Sequence, residues 1–450
     1  MSDIALGAQC IFVFREHLRL KQMTEKLKQT VEEALKNLPI PSLSLRDLLK
    51  RVCPIQLARI HENAPTDYPE EHVWWDSERL MHMVEDKHLQ TIRGYLEKAL
   101  DGFVPREDPI KINQIFSERI LGTVSQYPIY AYYTSEPVDS PPMDAILIGL
   151  ALAYKLGVDK AALVFLNRSD LKWSIWSVAA PDDTTAKEVL SDADYVEGIV
   201  LKKAPEEGIS TTCISCPFQS TCNVETKFEP APYTLGASTT RSFKLQDLLH
   251  DYLLKKNEED DGRNTGFLSP SSLCISKCDR RMWYKRKKYK RQANIEPNLR
   301  RIFDMGHAVH DVIQTLVHEG SPEFRSEVTA TLAPSIKGSC DGVEADEGME
   351  IKSISNKGYH SVRGPKTPHH RQGSIYGAAL NLKKVLYVYY NKSTGDVKTV
   401  YKAVDHKYVG SIVERAQNIE DKIEQGEIPE RSAGYGCLTC PYKIPCNPDL

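Results

Sequence analysis

Two stretches of the 450-residue chain carry the same arrangement of thiols. Cys213–Cys222 reads CISCPFQSTC and Cys437–Cys446 reads CLTCPYKIPC, both of the form C-x2-C-P-aromatic-x3-C. Each holds three ligands of a four-ligand set, and each has a fourth candidate far upstream, Cys53 for the first and Cys278 for the second. A site built this way ties two distant chain segments together, and a shared metal removes much of their loop-closure freedom. Zinc accepts four thiolates, and so does a [4Fe–4S] cluster; the spacing alone does not choose between them. Cys10, Cys274 and Cys340 are left over and read as small buried thiols.

A second constellation uses oxygen and nitrogen. The segment Ile336–Ser355 reads as two short strands around an acidic turn, with Asp341 near the end of the first and Glu350 and Lys352 two apart on the second. Two residues apart on a strand means one face. Carboxylates and a lysine aimed together from a sheet are costly to bury unless a cation lies among them. Upstream, residues 300–317 read as a helix whose apolar stripe is Ile302, Met305, Val309, Ile313 and Leu316, bordered by His310. His310, Asp341 and Glu350 make a mixed N/O shell suited to Mn2+ or Mg2+. Lys352 would steady an attacking water or a transition-state phosphate. Gln372 and Tyr376 stand i, i+4 on a further helix face. Glu344, Asp346 and Glu347 read as ordinary charges of a solvated turn.

Between the cysteine and the carboxylates lies KCDRRMWYKRKKYKR (Lys277–Arg291), with nine Lys or Arg in fifteen residues. Aromatics interrupt the charge. Arg280, Arg281, Lys285, Arg286, Lys287 and Lys288 would meet phosphates, and Trp283 and Tyr284 would stack on bases of a single strand.

These groups need elements to hold them, and the elements recur. Leu45–Ile60 lines up with Pro270–Lys285, placing Cys53 on Cys278; Arg79–His88 lines up with Arg301–His310; Gly122–Ser125 with Gly338–Asp341; Asp144–Gly157 with Gln372–Val385; Leu163–Ser169 with Leu386–Ser393. Leading amphipathic helices also correspond, with stripes Leu20, Met23, Leu27, Val31, Leu35 and Leu245, Leu248, Leu249, Tyr252, Leu253. The order of the matches predicts a tandem duplication. The first module would span 1–223, a linker with an amphipathic helix 224–262, and the second module 263–450.

Composition sets the outer bounds. The formal net charge is -3, yet residues 263–450 are basic and residues 1–223 acidic, which points to an anionic partner for the second module only. The longest apolar run, Ala145–Tyr154, is about half the length of a membrane span. The N-terminus lacks the basic start of a signal peptide. A cytoplasmic chain is expected, in which cysteines serve as metal ligands rather than disulfides.

The second module resembles the PD-(D/E)XK nucleases of the RecB type, and more narrowly their iron–sulfur branch, which includes the CRISPR-associated RecB-like exonucleases, their phage relatives and the AddB nuclease domain. The resemblance rests on Cys278, Gly306 and His310 in GHAVH, Asp341 in GSCDG, Glu350-Ile-Lys352, Gln372-x3-Tyr376, and Cys437, Cys440 and Cys446, in that order. It implies an α/β fold with a restriction-endonuclease-like core, a mixed central sheet flanked by helices. It implies a [4Fe–4S] cluster on the four cysteines, and a Mg2+ or Mn2+ ion held by His310, Asp341, Glu350 and the Ile351 carbonyl. It also implies hydrolysis of DNA phosphodiester bonds, often from single-stranded ends.

The first module shares only the frame. His88 and the cysteines remain, Ser125 stands on Asp341, and Asp144 and Ile148 stand on Gln372 and Tyr376. It reads as a degenerate nuclease whose cysteines hold an iron–sulfur cluster, zinc or nothing, and whose acidic balance favours a protein partner over DNA. Two rival readings stand beside the exonuclease. One is a non-catalytic nucleic-acid-binding scaffold. The other is an endonuclease or end-trimmer within a recombination or spacer-acquisition complex.

Overall fold

The computed structural model describes residues 26–36, 74–114, 117–180, 182–201, 237–259, 266–289, 297–432, 437 and 440–446. Cys53, Cys213, Cys216 and Cys222 lie outside the described residues, as do the matched segment Leu45–Ile60 and the first two residues of the first leading stripe, Leu20 and Met23. The chain forms mixed α/β structure with two mixed sheets, each flanked by helices. It divides into two compact units, neither contiguous in sequence. The N-terminal unit comprises 39–256 and 296–305; the C-terminal unit comprises 1–38, 257–295 and 306–450.

Helix α1 (Lys26–Lys36) is thus part of the C-terminal unit. Its stripe residues Leu27 and Val31 are 1 % exposed. The Lys26 ammonium lies 2.8 Å from the Glu344 carboxylate, and the Lys28 backbone N–H donates to the Tyr401 hydroxyl at 3.2 Å. Sequence matching assigned this helix to the first module; its apolar stripe is buried on the second.

The N-terminal unit runs through α2 (Trp74–Ala99), β1 (Phe103–Pro105), β2 (Ile110–Lys111), β3 (Ser117–Glu118), β4 (Gly122–Val124) and β5 (Tyr127–Thr134). It continues with α3 (Met143–Lys155), β6 (Lys160–Asn167), β7 (Trp173–Ala179), α4 (Thr184–Leu201), β8 (Ser238–Arg241) and α5 (Phe243–Glu259). Its main sheet has the order β1-β4-β5-β6-β7-β8, and only β5 and β6 are parallel. Parallel neighbours need a crossover, and α3 supplies it. Residues Ala145 to Ala153 of α3 are all buried, as expected of a helix that is apolar all round. The long apolar run is therefore a core helix. Among the described residues no helix is long and apolar enough to cross a membrane.

Residues 238–259, read from sequence as part of a linker, are structural. Strand β8 pairs with β7, Trp176 opposite Arg241, and so covers an edge that would otherwise present unpaired backbone groups. Leu249 and Leu253 of α5 are fully buried.

The C-terminal unit contains α6 (Pro270–Ile275), α7 (Asp279–Arg286), α8 (Pro297–Gly320, of which residues to 305 fall in the N-terminal unit), β9 (Arg325–Ala333), β10 (Ile336–Glu344), β11 (Glu347–Ile354) and α9 (Asn356–His360). After these come α10 (Thr367–Ala379), β12 (Lys384–Asn391), β13 (Val397–Ala403), α11 (His406–Glu424) and the short α12 (Lys443–Cys446). The sheet order is β13-β12-β11-β10-β9, with β11 and β12 parallel across α10. Tyr387, Tyr389 and Tyr390 fill its centre at 0–1 % exposure.

One backbone pattern occurs in both sheets. Each has a two-residue hairpin, with Val124 paired to Tyr127 in one and Glu344 to Glu347 in the other. Each crossover helix ends on a residue of positive φ, Gly157 (+69°) and Asn381 (+54°), followed by a backbone N–H that reaches back five residues, Val158 to Ala153 O and Leu382 to Gly377 O. Each parallel strand ends in an asparagine turn. Arg168 N–H donates to Thr134 O and Lys392 N–H to Ile354 O; Ser169 N–H donates to Asn167 Oδ1 and Ser393 N–H to Asn391 Oδ1.

Candidate active site

The hairpin β10–β11 fixes the first two groups. Gly342 pairs with Met349, so Asp341 lies opposite Glu350 across the ladder, on one face. The Ile351 N–H donates to Asp341 Oδ2 at 2.6 Å. Glu350 is 0 % exposed; its Oε1 is met by the Lys352 ammonium at 2.5 Å, and its Oε2 has no hydrogen-bond partner among the described residues. Helix α8 brings His310, whose Nδ1 is 3.5 Å from Asp341 Oδ1.

The electrostatics follow from burial. Burial raises the Asp341 carboxyl to about 6 and, with the Asp341 charge beside it, the Glu350 carboxyl to about 7. Burial and then the Lys352 charge push His310 below its ordinary value, leaving a neutral imidazole with a free lone pair. Burial alone would lower Lys352, but Glu350 and Asp341 outweigh it and hold the ammonium charged. Two buried carboxylates, one with an unanswered oxygen, beside a neutral imidazole form a donor set that fits Mn2+ or Mg2+.

A residue that sequence reasoning passed over joins them. Donor atoms of His310, Glu327 and Asp341 all lie within 4.8 Å of one another. Glu327 is on β9, outside the hairpin that carries the motif, and in the sequence it looks like a surface charge. Its position opposite Asp341 becomes visible only once β9 pairs with β10, Val328 to Cys340 and Ser326 to Gly342. The Gln314 amide of α8 donates both to Glu327 Oε1 (2.9 Å) and to the Asp341 carbonyl (2.7 Å).

On α10, Gln372 Nε2 donates to the Tyr376 hydroxyl at 3.2 Å. Tyr376 is 5 % exposed, and burial with the nearby Glu350 charge raises its phenol. The i, i+4 pair therefore faces the carboxylates. His369, also on α10, has Nδ1 3.1 Å from the Tyr389 hydroxyl, and burial with Lys352 pushes it down to about 4. No spacing rule singled out His369 or Tyr389.

The basic segment departs from the sequence reading. Trp283 and Tyr284 are 4 % and 3 % exposed and belong to the core under α7, so bases do not stack on them. Arg280 donates to the Pro429 carbonyl (2.7 Å), Arg286 to Glu420 (2.7 Å), and Lys285 to Ser269 and Ser272 (3.0 and 3.1 Å). An eight-residue helix needs one apolar face, and the aromatics provide it. Arg281 is half-buried, while Lys287 and Lys288 are exposed.

The cysteines sit at the two ends of this packing. Cys278 is the N-cap of α7. Cys440 and Cys446 pack against the core that includes Tyr284 and Tyr442, whose rings stack at 5.8 Å. The Arg280 guanidinium is 4.0 Å from Cys446 Sγ, and the Tyr284 hydroxyl donates to the Pro445 carbonyl at 2.7 Å. Cys278, Cys437, Cys440 and Cys446 are all free thiols. Cys340 is fully buried, its thiol pushed up to about 12 by burial and the Glu350 charge.

In the N-terminal unit the shared backbone pattern moves the matched positions. The hairpin puts Leu121, not Ser125, in the place of Asp341; Ser125 is in the turn itself at φ +49°. Arg93 Nε donates to the Leu121 carbonyl at 3.0 Å, as Gln314 does to that of Asp341. The helix ends align through Phe103 and Phe324, which press on Gly122 and Gly342 where a Cβ would meet their rings at 2.5 and 2.3 Å. That alignment puts Leu89, not His88, in the place of His310. His88 is a core residue, 0 % exposed, with Nδ1 2.6 Å from the Tyr133 hydroxyl and a pKa pushed down to about 3 by burial and then Arg301. Tyr130 and Tyr132 stand for Glu350 and Lys352. The crossover caps put Ile148 and Leu152, one turn beyond the matched Asp144 and Ile148, in the places of Gln372 and Tyr376. A cavity of about 540 Å³ occupies this region, lined among others by Asp86, Leu89, Arg93, Arg119 and Leu121.

No protein-family model matches the chain, and no curated protein matches it. Among solved structures it is similar to SSO0001 (21% identity, TM-score 0.31, covering 44% of this chain and 96% of that one). It is also similar to an alkaline exonuclease, LHK-Exo, from Laribacter hongkongensis (15% identity, TM-score 0.28, covering 38% and 93%) and to LHK-Exo in complex with dAMP (14%, 0.28, 38% and 93%).

Proposed function

We propose that the chain is a divalent-cation-dependent deoxyribonuclease of the PD-(D/E)XK type, with its one catalytic site in the C-terminal unit and a restriction-endonuclease-like core there. The observation that carries this reading is the fully buried Glu350, opposite Asp341, with one oxygen 2.5 Å from the Lys352 ammonium and the other without a hydrogen-bond partner among the described residues. Such a cluster is costly in an empty sheet and suited to a cation beside a phosphodiester.

His310, Asp341, Glu350 and the Ile351 carbonyl would hold Mg2+ or Mn2+. A bound cation supplies Lewis acidity toward a phosphoryl oxygen and lowers the pKa of water. The chain's own residues do the rest. Lys352, kept charged by Glu350, sets a positive charge where negative charge grows on the phosphate. Gln372 and Tyr376 orient donors toward the same face.

Cys278, Cys437, Cys440 and Cys446 would carry a [4Fe–4S] cluster that closes the terminal segment onto α7. Four free thiols on two segments already packed through Tyr284 and Tyr442 support this. The N-terminal unit is a tandem relative of the C-terminal one that has lost its chemistry, a reading supported by the shared hairpin, caps and asparagine turns. DNA is the substrate, with single-stranded ends preferred.

End-labelled single-stranded DNA incubated with metal-loaded protein should shorten progressively. Absence of cleavage with Mg2+ and Mn2+, in protein whose iron content is verified, would leave the non-catalytic scaffold as the better reading. A circular single strand separates exonuclease from endonuclease, since only the latter opens it.

A further inference from the structure

Among the described residues, one set of three metal-type donors brings its ligand atoms within 4.8 Å of one another, and it includes a residue the resemblance does not imply. That set is His310, Asp341 and Glu327. We propose that Glu327 is a protein ligand of the catalytic cation, entering from β9 on the side opposite Glu350. The inference rests on the nuclease reading above and adds a residue to its site.

Three observations carry it. First, the ladder pairs Val328 with Cys340 and Ser326 with Gly342, which sets Glu327 opposite Asp341; Glu327 is exposed and at φ +51°, and its carboxylate lies within 4.8 Å of the Asp341 and His310 donor atoms. Second, each Glu327 oxygen is held by a neutral donor. Gln314 Nε2 donates to Oε1 at 2.9 Å and Ser339 Oγ donates to Oε2 at 2.8 Å. Carboxylates that bind metals are commonly fixed by such outer partners, which orient them without neutralising them. No Lys or Arg neutralises Glu327 among the ion pairs of the described residues. Third, Glu350, with no solvent exposure and with Oε2 lacking a hydrogen-bond partner among the described residues, faces the same cluster. With Lys352 as the ammonium in the group, three carboxylates leave surplus negative charge for a divalent cation to answer.

A purely structural role for Glu327 makes a different prediction. Its bonds to Gln314 and Ser339 would then matter to stability alone, and metal affinity would not depend on its charge. Glu327→Gln keeps the shape and one acceptor while removing the charge.

The test is calorimetric titration of Mn2+ into full-length protein, freed of divalent cations and with its iron content verified, paired with electron paramagnetic resonance of the bound ion. Wild type, Glu327→Gln, Glu350→Gln and Ser339→Ala are compared, with melting temperature as the folding control. Glu327→Gln is expected to weaken Mn2+ binding about ten- to a hundredfold, and Ser339→Ala by a smaller factor, through the loosened carboxylate. If Glu327→Gln binds Mn2+ within twofold of wild type while Glu350→Gln does not bind, the inference is overturned and the nuclease reading stands. If wild type itself binds no Mn2+, both fall. Should Glu327→Gln fail to fold, unchanged affinity in Ser339→Ala overturns the inference.

Discussion

The two sheets share a hairpin length, a crossover cap and an asparagine turn, and differ in what their central strands present. Where β10 and β11 carry Asp341, Glu350 and Lys352, the corresponding positions of β4–β5 carry Leu121, Tyr130 and Tyr132. Where α8 carries His310 and Gln314, α2 carries Leu89 and Arg93. The exchange of Gln314 for Arg93 is instructive. Both donate to the carbonyl of the residue facing them, at 2.7 and 3.0 Å, so the backbone contact persists. Arg93 adds a permanent positive charge, near Asp86 and Glu107, where the other sheet gathers carboxylates. A frame held by backbone hydrogen bonds tolerates either filling. The charged cluster consists of a few side chains that the frame does not require.

The sharpest way to break this comparison is to remove the chemistry from one side and its counterpart from the other. Asp341→Ala or Lys352→Ala is expected to reduce cleavage of labelled single-stranded DNA by on the order of a thousandfold. Leu121→Ala and Tyr130→Phe, in corresponding places, should leave cleavage within about twofold. Equal losses on both sides would mean that the N-terminal unit takes part in catalysis.

The next largest effect concerns α1. Leu27→Ala removes a fully buried leucine side chain, and such truncations cost about 2–5 kcal/mol. Because Leu27 is buried in the C-terminal unit, limited proteolysis should show that unit, not the N-terminal one, opening more readily. Leu249→Ala should do the reverse, since α5 belongs to the N-terminal unit.

The pH dependence sharpens the electrostatic half of the comparison. Asp341 and Glu350 have carboxyls raised to about 6 and about 7, so between roughly pH 5 and 7 the metal-free site retains protons that a cation must displace. Mn2+ affinity should rise through this window and level off above about pH 8. Titration at pH 6.5 in buffers of different ionisation enthalpy should report proton release of about one per ion, and Glu350→Gln should abolish most of it.

The smallest expected effect separates Lys287 and Lys288 from their neighbours. As exposed cations they should each lower the salt dependence of DNA binding by about one unit of slope when changed to alanine. Trp283→Ala should instead lower the melting temperature, because its ring is core.

How much could be read from the chain itself varies with the kind of contact. Asp341, Glu350 and Lys352 lie on a single hairpin, where the two-residue period of a strand places them without any long-range information. The α8 helix was legible as well, predicted over 300–317 and found over Pro297–Gly320. Glu327 was not, because its relation to Asp341 depends on which strand pairs with β10 and in what register. Trp283 and Tyr284 were misread for a related reason: a charge-rich helix of eight residues shows too little periodicity to reveal which face is buried. The internal matches were shifted by one to four residues because matched letters followed Gly122 and His88, whereas the hydrogen bonds follow Gly342 and the caps. The membership of α1 and of β8–α5 was beyond sequence pattern altogether, since an amphipathic stripe announces that it will be buried but not on what.

That membership has a consequence for how the chain can be handled and how it can change. Each unit is completed by a segment that lies in sequence beside the other one. No single cut therefore yields two whole units: expressing 263–450 by itself leaves α1 behind, and expressing 1–223 by itself leaves behind β8 and α5. A truncation from either end that removes one unit therefore takes with it, or strands, a segment of the other.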